Sequence, residues 1–264
     1  MLTNAAIAVF SLRPVASSPN AILWSASSRR SERCHAANAK PPGASVMILI
    51  GQYDSPFVRR VGVALHLYGM AWTHWPWSTF GDGDRLAAYN PLRRVPTLVL
   101  GDGAPGDEVL TESGAILDHL DQCAGPDRAL VPPAGPARRA ILRVCALATG
   151  ACDKMVSLFY ERALHDAASD LWIARCETQL GAVLDRLEAE RAGGAGDWWF
   201  GDRIRHADIA VTCMMRFLGE VHPAVAARRS LPALTALAER CEALDAFRAI
   251  VQPFSPPAGT ADAA

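Results

Sequence analysis

Three short stretches of this 264-residue chain carry residue types suited to chemistry. The first runs Asn90-Pro91-Leu92-Arg93-Arg94-Val95-Pro96-Thr97-Leu98-Val99-Leu100: two prolines bracket a polar turn, and the second opens an apolar, β-branched run. Pro96 cannot donate to a sheet ladder, so it belongs at a strand start or edge. A cis Val95–Pro96 bond, the state of roughly 5–6% of X–Pro bonds, would turn the Val95 backbone outward with its N–H and C=O unpaired. Such an edge accepts an extended peptide-like ligand as an added strand. The second stretch, Thr111-Glu112-Ser113-Gly114, reads as a helix start, where free N–H groups and the helix dipole favour an anion. The third is Ser55-Pro56, a serine at the N-cap and a proline at the first helical position. The seven histidines show no metal-ligand spacing such as His-Glu-x-x-His, and no glycine-rich phosphate loop is present.

The elements that must position these residues follow from periodicity. Met47–Gly51 is a short apolar run of buried-strand type. Ser55-Pro56 opens a helix whose apolar positions 57, 58, 61, 65 and 68 recur at helical spacing, with Gly69 as its stop. Ala71–Trp77 is a second strand, which completes a βαβ unit. A short polar segment around 82–89 precedes the Asn90–Leu100 stretch. Residues 101–106 (GDGAPG) have hairpin composition and lead to a strand at Glu108–Leu110. Ile116, Leu117 and Leu120 then give the next helix its apolar face. Residues 125–136, with four prolines and two glycines, read as a linker. Beyond it the pattern is helical, over about 137–164, 169–191, 207–220 and 231–250. Ile209–Leu218 is apolar almost all round, which predicts the buried central helix of this half. From Pro253 the Pro/Ala-rich tail is expected to be flexible.

Composition narrows the function classes. Half the residues are hydrophobic, 20% are charged, and the net charge is −1. Nothing here favours nucleic acid or an anionic membrane surface, and no apolar run approaches the roughly 18 to 20 residues that span a bilayer. The seven cysteines include no Cys-x-x-Cys pair, which reads as reduced thiols in a cytoplasmic protein. Residues 1–46 hold five basic side chains against one acid and show no helical periodicity. They read as a disordered extension or as a misassigned start with Met47 as the true first residue; a transit peptide is the other reading of this composition.

With these elements in order, the chain resembles the cytosolic glutathione transferase family over residues 47 to about 250. The resemblance is carried by Asp54-Ser55-Pro56-Phe57, by Asn90-Pro91 through Val95-Pro96-Thr97-Leu98, and by Glu112-Ser113-Gly114-Ala115-Ile116-Leu117. In the second half it is carried by Gly201-Asp202 followed by Ala207-Asp208-Ile209-Ala210. It implies an α+β chain: a thioredoxin-like domain over 47–124 (β-α-β-α-β-β-α), the linker 125–136, an all-α bundle over 137–252 and the tail 253–264. One departure stands out. The family usually has Ser or Thr three residues before the aspartate of the central helix, whereas this chain has Arg205, which cannot accept N–H bonds, so the cap must come from Asp208 alone or from elsewhere.

The resemblance also implies roles. The Val95 main chain would meet the amide pair of glutathione, and Glu112 and Ser113 its γ-glutamyl group; of the arginines just before Val95, Arg94 or Arg93 could meet its glycyl carboxylate. Ser55 would donate its hydroxyl to the sulfur anion, with Tyr53 as the alternative donor. Met155, Phe159 and Tyr160 would wall a pocket for an apolar co-substrate. A dithiol oxidoreductase of this fold would carry cysteine near Ser55-Pro56-Phe57-Val58, and there is none. The implied activity is thiolate attack on a small electrophile, by conjugation or glutathione-dependent reduction, in a homodimer that uses glutathione and no metal. A glutathione-transferase-like binding or regulatory protein without turnover is the alternative, and glutathione-assisted isomerisation a third possibility.

Overall fold

The computed structural model describes residues 46–257, so the expectations for 1–45 and 258–264 fall outside the described residues. Strand β1 (Met47–Ile50) lies between β2 (Thr73–Trp75), with which it is parallel, and β3 (Thr97–Leu100), with which it is antiparallel. Strand β4 (Glu108–Thr111) pairs antiparallel with β3 at the edge, giving the order β2-β1-β3-β4. Side chains alternate between faces along each strand. Met47, Leu49 and Leu98 pack into the main core with helices α1 (Pro56–Tyr68) and α3 (Ser113–Ala124). Ile48, Ile50 and Val99 face a smaller core closed by Leu86 of the five-residue helix α2 (Gly83–Ala87) and by Trp75, Trp77 and Tyr89. This is the thioredoxin-like arrangement expected. β2 is shorter than the three tryptophans of 71–77 suggested: the chain leaves the ladder on either side of Thr73–Trp75, and Trp77 turns to stack on Trp75.

The second half is helical: α4 (Gly135–Leu164), α5 (Asp170–Ala192), α6 (His206–Val221), α7 (Pro223–Ala226), α8 (Pro232–Glu242) and α9 (Asp245–Ala249). Helix α6 is buried nearly throughout, as its uniform hydrophobicity demands, and packs on α4, α8 and α1. The predicted helix 231–250 is two helices, because the chain turns at Ala243-Leu244 before α9 begins. Asp208 makes the reciprocal half of the cap: its carboxylate accepts from the Arg205 N–H at 2.8 Å and from the Trp199 N–H at 2.8 Å. The tail departs from expectation. Residues 251–257 have no regular structure, yet Gln252, Phe254 and Ser255 are all hydrogen-bonded back onto the body.

Two polar features join the halves. Arg59, 2% exposed, forms a two-pronged pair with Glu242 at 2.6 and 2.7 Å and donates to the Ile250 and Phe247 carbonyls at 2.8 and 3.2 Å. Asp121 accepts from the Tyr68 hydroxyl, from the Leu130 N–H at 3.1 Å and from His206 Nε2 at 3.1 Å. His206 Nδ1 has no partner among the described residues, the arrangement of a neutral ring whose single proton sits on Nε2.

That neutrality has a pH consequence. Burial holds the pKa of His206 and of His222 below the ordinary histidine value, against the raising effect of hydrogen bonds to Asp121 and to the Met155 carbonyl. The unfolded chain therefore binds more protons than the folded one from about pH 6.5 downward, and stability falls with pH through that window. At full slope each histidine contributes about 1.4 kcal/mol per pH unit. Urea midpoints measured between pH 7.5 and 5.5 should fall, and His206→Gln should flatten the dependence; a midpoint independent of pH would contradict the assignment. Asp121 acts in a separate, more acid window. Burial raises its carboxyl, but the bonds from His206 and Tyr68 outweigh this and depress it, so its contribution is lost only as pH falls through that folded value.

The cysteines sort by burial. Cys145, Cys152, Cys176, Cys213 and Cys241 are buried and unpaired, whereas Cys123 is exposed on α3. Burial pushes the Cys213 thiol up to about 11 and that of Cys241 to about 12.

Candidate active site

The site begins where β1 ends. Gly51 has φ +128°, and a Cβ there would lie 2.6 Å from Val58 and 2.7 Å from Val95, so only glycine lets the chain turn between helix and proline loop. The loop Gln52–Ser55 then leads into α1. Ser55 is its N-cap in extended conformation, accepting from the Val58 N–H at a long 3.5 Å, and Pro56 occupies the first turn. The serine oxygen is used as an acceptor, which leaves the hydroxyl proton available for an anion in front of the helix.

Opposite this turn stands the proline loop. The Val95–Pro96 bond is cis, and the β3 ladder starts only at Thr97, so Val95 lies outside it. The loop is held from behind by a residue whose role the sequence did not reveal. Buried Asn90 donates to the Arg94 carbonyl at 2.9 Å and to Thr97 Oγ1 at 3.1 Å, while its own oxygen accepts from the Leu92 N–H at 3.0 Å. Arg94 extends toward the start of α3, 3.4 Å from the Glu112 carboxylate. Glu112 has φ +67°, a left-handed conformation unusual for glutamate, which sets the entry into α3. Ser113 behind it is buried and accepts from Arg60 at 3.4 Å.

Between Ser55 and the proline loop on one side and the helical half on the other lies a cavity of about 370 Å³. Ser55, Arg94 and Val95 line it, as do Phe159 and Tyr160 of α4. Met155 does not: it is fully buried, one residue around the helix from Val156, which takes the lining position. Tyr53 is also absent from the wall. Its ring stacks on His74 at 3.9 Å and its oxygen accepts from Trp72 Nε1 at 3.2 Å, against β2 and α1. Glu112 and Ser113 lie outside the lining residues; Glu112 connects to them through Arg94. The wall includes several residues that motif reading missed: Asp54, Phe57, Phe80, Phe217 of α6 and Phe254 of the tail. Among these, only Asp54 and Phe57 had a local signal, being part of the Asp54-Ser55-Pro56-Phe57 motif.

The arrangement offers a hydroxyl donor at a helix N-terminus, an open backbone edge with nearby charge, and an aromatic wall facing both. That set can hold a small peptide by its backbone, stabilise an anion on it, and place an apolar molecule against that anion. Among the described residues no group of three or more His, Cys, Asp or Glu side chains is placed to hold a metal ion. No described helix is long and apolar enough to cross a membrane.

Comparison with known proteins agrees with this geometry. Residues 49–128 match the family model for the glutathione S-transferase N-terminal domain, and residues 170–240 that for the C-terminal domain. A probable glutathione S-transferase of rice, Oryza sativa subsp. japonica, is 27% identical over 75% of this chain and 86% of its own. A glutathione S-transferase from Methylobacterium radiotolerans, solved with glutathione sulfonate, superposes with a TM-score of 0.71 at 29% identity, covering 80% of this chain and 97% of its own. A glutathione transferase family member from Pseudomonas fluorescens Pf-5, solved with bound glutathione, gives 0.67 at 29% identity, with coverage of 79% and 100%.

Proposed function

Because the chain belongs to the glutathione S-transferase family, we propose that it binds glutathione along the Val95 edge and turns its thiol on a small electrophile. The observation that carries this reading is one cavity bearing Ser55 and Val95 on one wall and an aromatic surface on the other. Its volume of about 370 Å³ lies within the roughly 300–1,000 Å³ of small-molecule sites.

In this reading the Val95 N–H and C=O pair with the ligand's central amides. Ser113 and Glu112 take its γ-glutamyl end, the carboxylate of Glu112 meeting the ammonium and the helix start favouring the α-carboxylate. A free thiol with a pKa near 8.5 is only about 3% ionised at pH 7. Ser55 contributes what the thiolate needs: an O–H donor and the N-terminal field of α1. The electrophile sits against Phe159 and Tyr160, and the sulfur–carbon bond forms as a leaving group departs or a double bond takes up the electron pair. Tyr53, turned toward His74 and Trp72, takes no part.

Calorimetric titration with glutathione tests the binding half. Ser113→Ala removes one donor to a charged group and should weaken binding about tenfold, since hydrogen bonds to charged groups are worth roughly 1.5–3 kcal/mol. Unchanged affinity in Ser113→Ala, or no binding by the unaltered protein, would overturn the placement.

A further inference from the structure

The tail that sequence composition marks as flexible is the part of the chain most directly tied to the Ser55 loop. Gln252 Oε1 accepts from the Tyr53 N–H at 3.1 Å, and the Ser255 N–H donates to Asp54 Oδ2 at 3.1 Å. Between them the Phe254 N–H donates to Glu220 Oε2 at 3.1 Å, and the other Glu220 oxygen is held by Arg216 at 2.8 Å. Two backbone N–H bonds, from Phe254 and Ser255, and one through the Gln252 side chain fix these four residues to α6 and to the two residues preceding Ser55. The Phe254 side chain is thereby delivered to the cavity wall, edge-to-face with Phe159 (5.3 Å, 86°) and Phe217 (5.9 Å, 81°). Those two rings are buried core residues, so Phe254 rests on a fixed floor where it forms part of the cavity wall.

We propose that Phe254 is a specificity-determining residue for the electrophile, restricting the site to co-substrates with a single flat ring or a short chain and rejecting fused two-ring systems. This rests on the glutathione reading above. The physical ground is that an apolar wall anchored through its backbone cannot retreat as a free loop would, so an extra ring on the ligand meets Phe254 directly. Apolar pockets discriminate single methylenes by roughly 10- to 200-fold, and a whole ring set against an anchored one falls within that scale.

The test is calorimetry on the full chain with glutathione, S-benzylglutathione and S-(1-naphthylmethyl)glutathione. The unaltered protein should bind the benzyl conjugate at least about tenfold more tightly than the naphthyl one, a step of pocket size. Phe254→Ala should close that gap to within about threefold by gaining naphthyl affinity, with glutathione itself changed by less than about twofold. Phe254→Leu, which keeps an apolar wall, should fall between. A benzyl-to-naphthyl ratio unmoved by Phe254→Ala, or a loss of glutathione binding in that variant alone, would overturn the proposal. Failure of the unaltered protein to bind glutathione would instead overturn the reading on which it rests.

Discussion

Replacing Ser55 by alanine is expected to lower the rate of glutathione conjugation at pH 7 about 25-fold, which corresponds to a thiol whose pKa rises from near 6.5 to near 8.5. The same change should cost at most about 1 kcal/mol of stability, because the cap bond to Val58 is already long at 3.5 Å. Ser55→Asp separates the two roles. Aspartate caps a helix as well as serine does, but it presents an anion where a hydroxyl donor stood. It should therefore keep the thermal midpoint while falling below the alanine variant in rate. Thiolate absorbance of the glutathione complex, followed against pH, reads the shift directly, and Tyr53→Phe should leave it in place. An activity loss in Tyr53→Phe equal to that of Ser55→Ala would remove Ser55 from its role.

The largest stability effect is expected at Arg59. Arg59→Ala would leave the Glu242 carboxylate facing its vacated partner and strip two buried carbonyls of their donor. Removing one member of a buried pair costs about 3–5 kcal/mol, or roughly 6 to 20 °C in melting temperature for a domain of this size. The lower half of that range is the better expectation, since Glu242 is 30% exposed and Arg216 lies 3.9 Å away. Lysine should not rescue, because a point charge cannot serve both oxygens of Glu242 and two carbonyls together. Arg59→Met combined with Glu242→Leu should recover much of the loss. A single Arg59→Ala variant melting within about 2 °C of the parent would show that the contact between α1 and the α8–α9 segment is held by apolar packing alone.

The stretches of the proposed site that sequence could mark are those whose signals are local. Val95-Pro96, Ser55-Pro56 and Glu112-Ser113 each fit within a few residues, because turn, cap and helix-start chemistry are properties of neighbours in the chain. Asn90 was visible as part of a motif, but its grip on Arg94 and Thr97 depends on the loop closing, which no spacing rule displays. Met155 shows the limit of helical periodicity: it sits one step of about 100° from Val156, and only the position of α6 decides which of the two faces the cavity. The tail was harder still. Its proline and alanine content argues for fraying, and the three bonds that hold it come from Tyr53, Glu220 and Asp54, as many as 201 residues away. Arg59 and Glu242, 183 residues apart, belong to the same class of invisible partners.

A protein that holds a reactive thiol as its ligand must coexist with the oxidised dimer of that ligand. Exchange with a disulfide needs an accessible thiolate, and five of the six cysteines among the described residues are sealed inside the helical half. With Cys213 and Cys241 pushed to about 11 and about 12, their sulfurs stay protonated as well as out of reach. The interior is thus chemically insulated from such a ligand, and mixed disulfides formed on the folded described region would be confined to Cys123, exposed on α3.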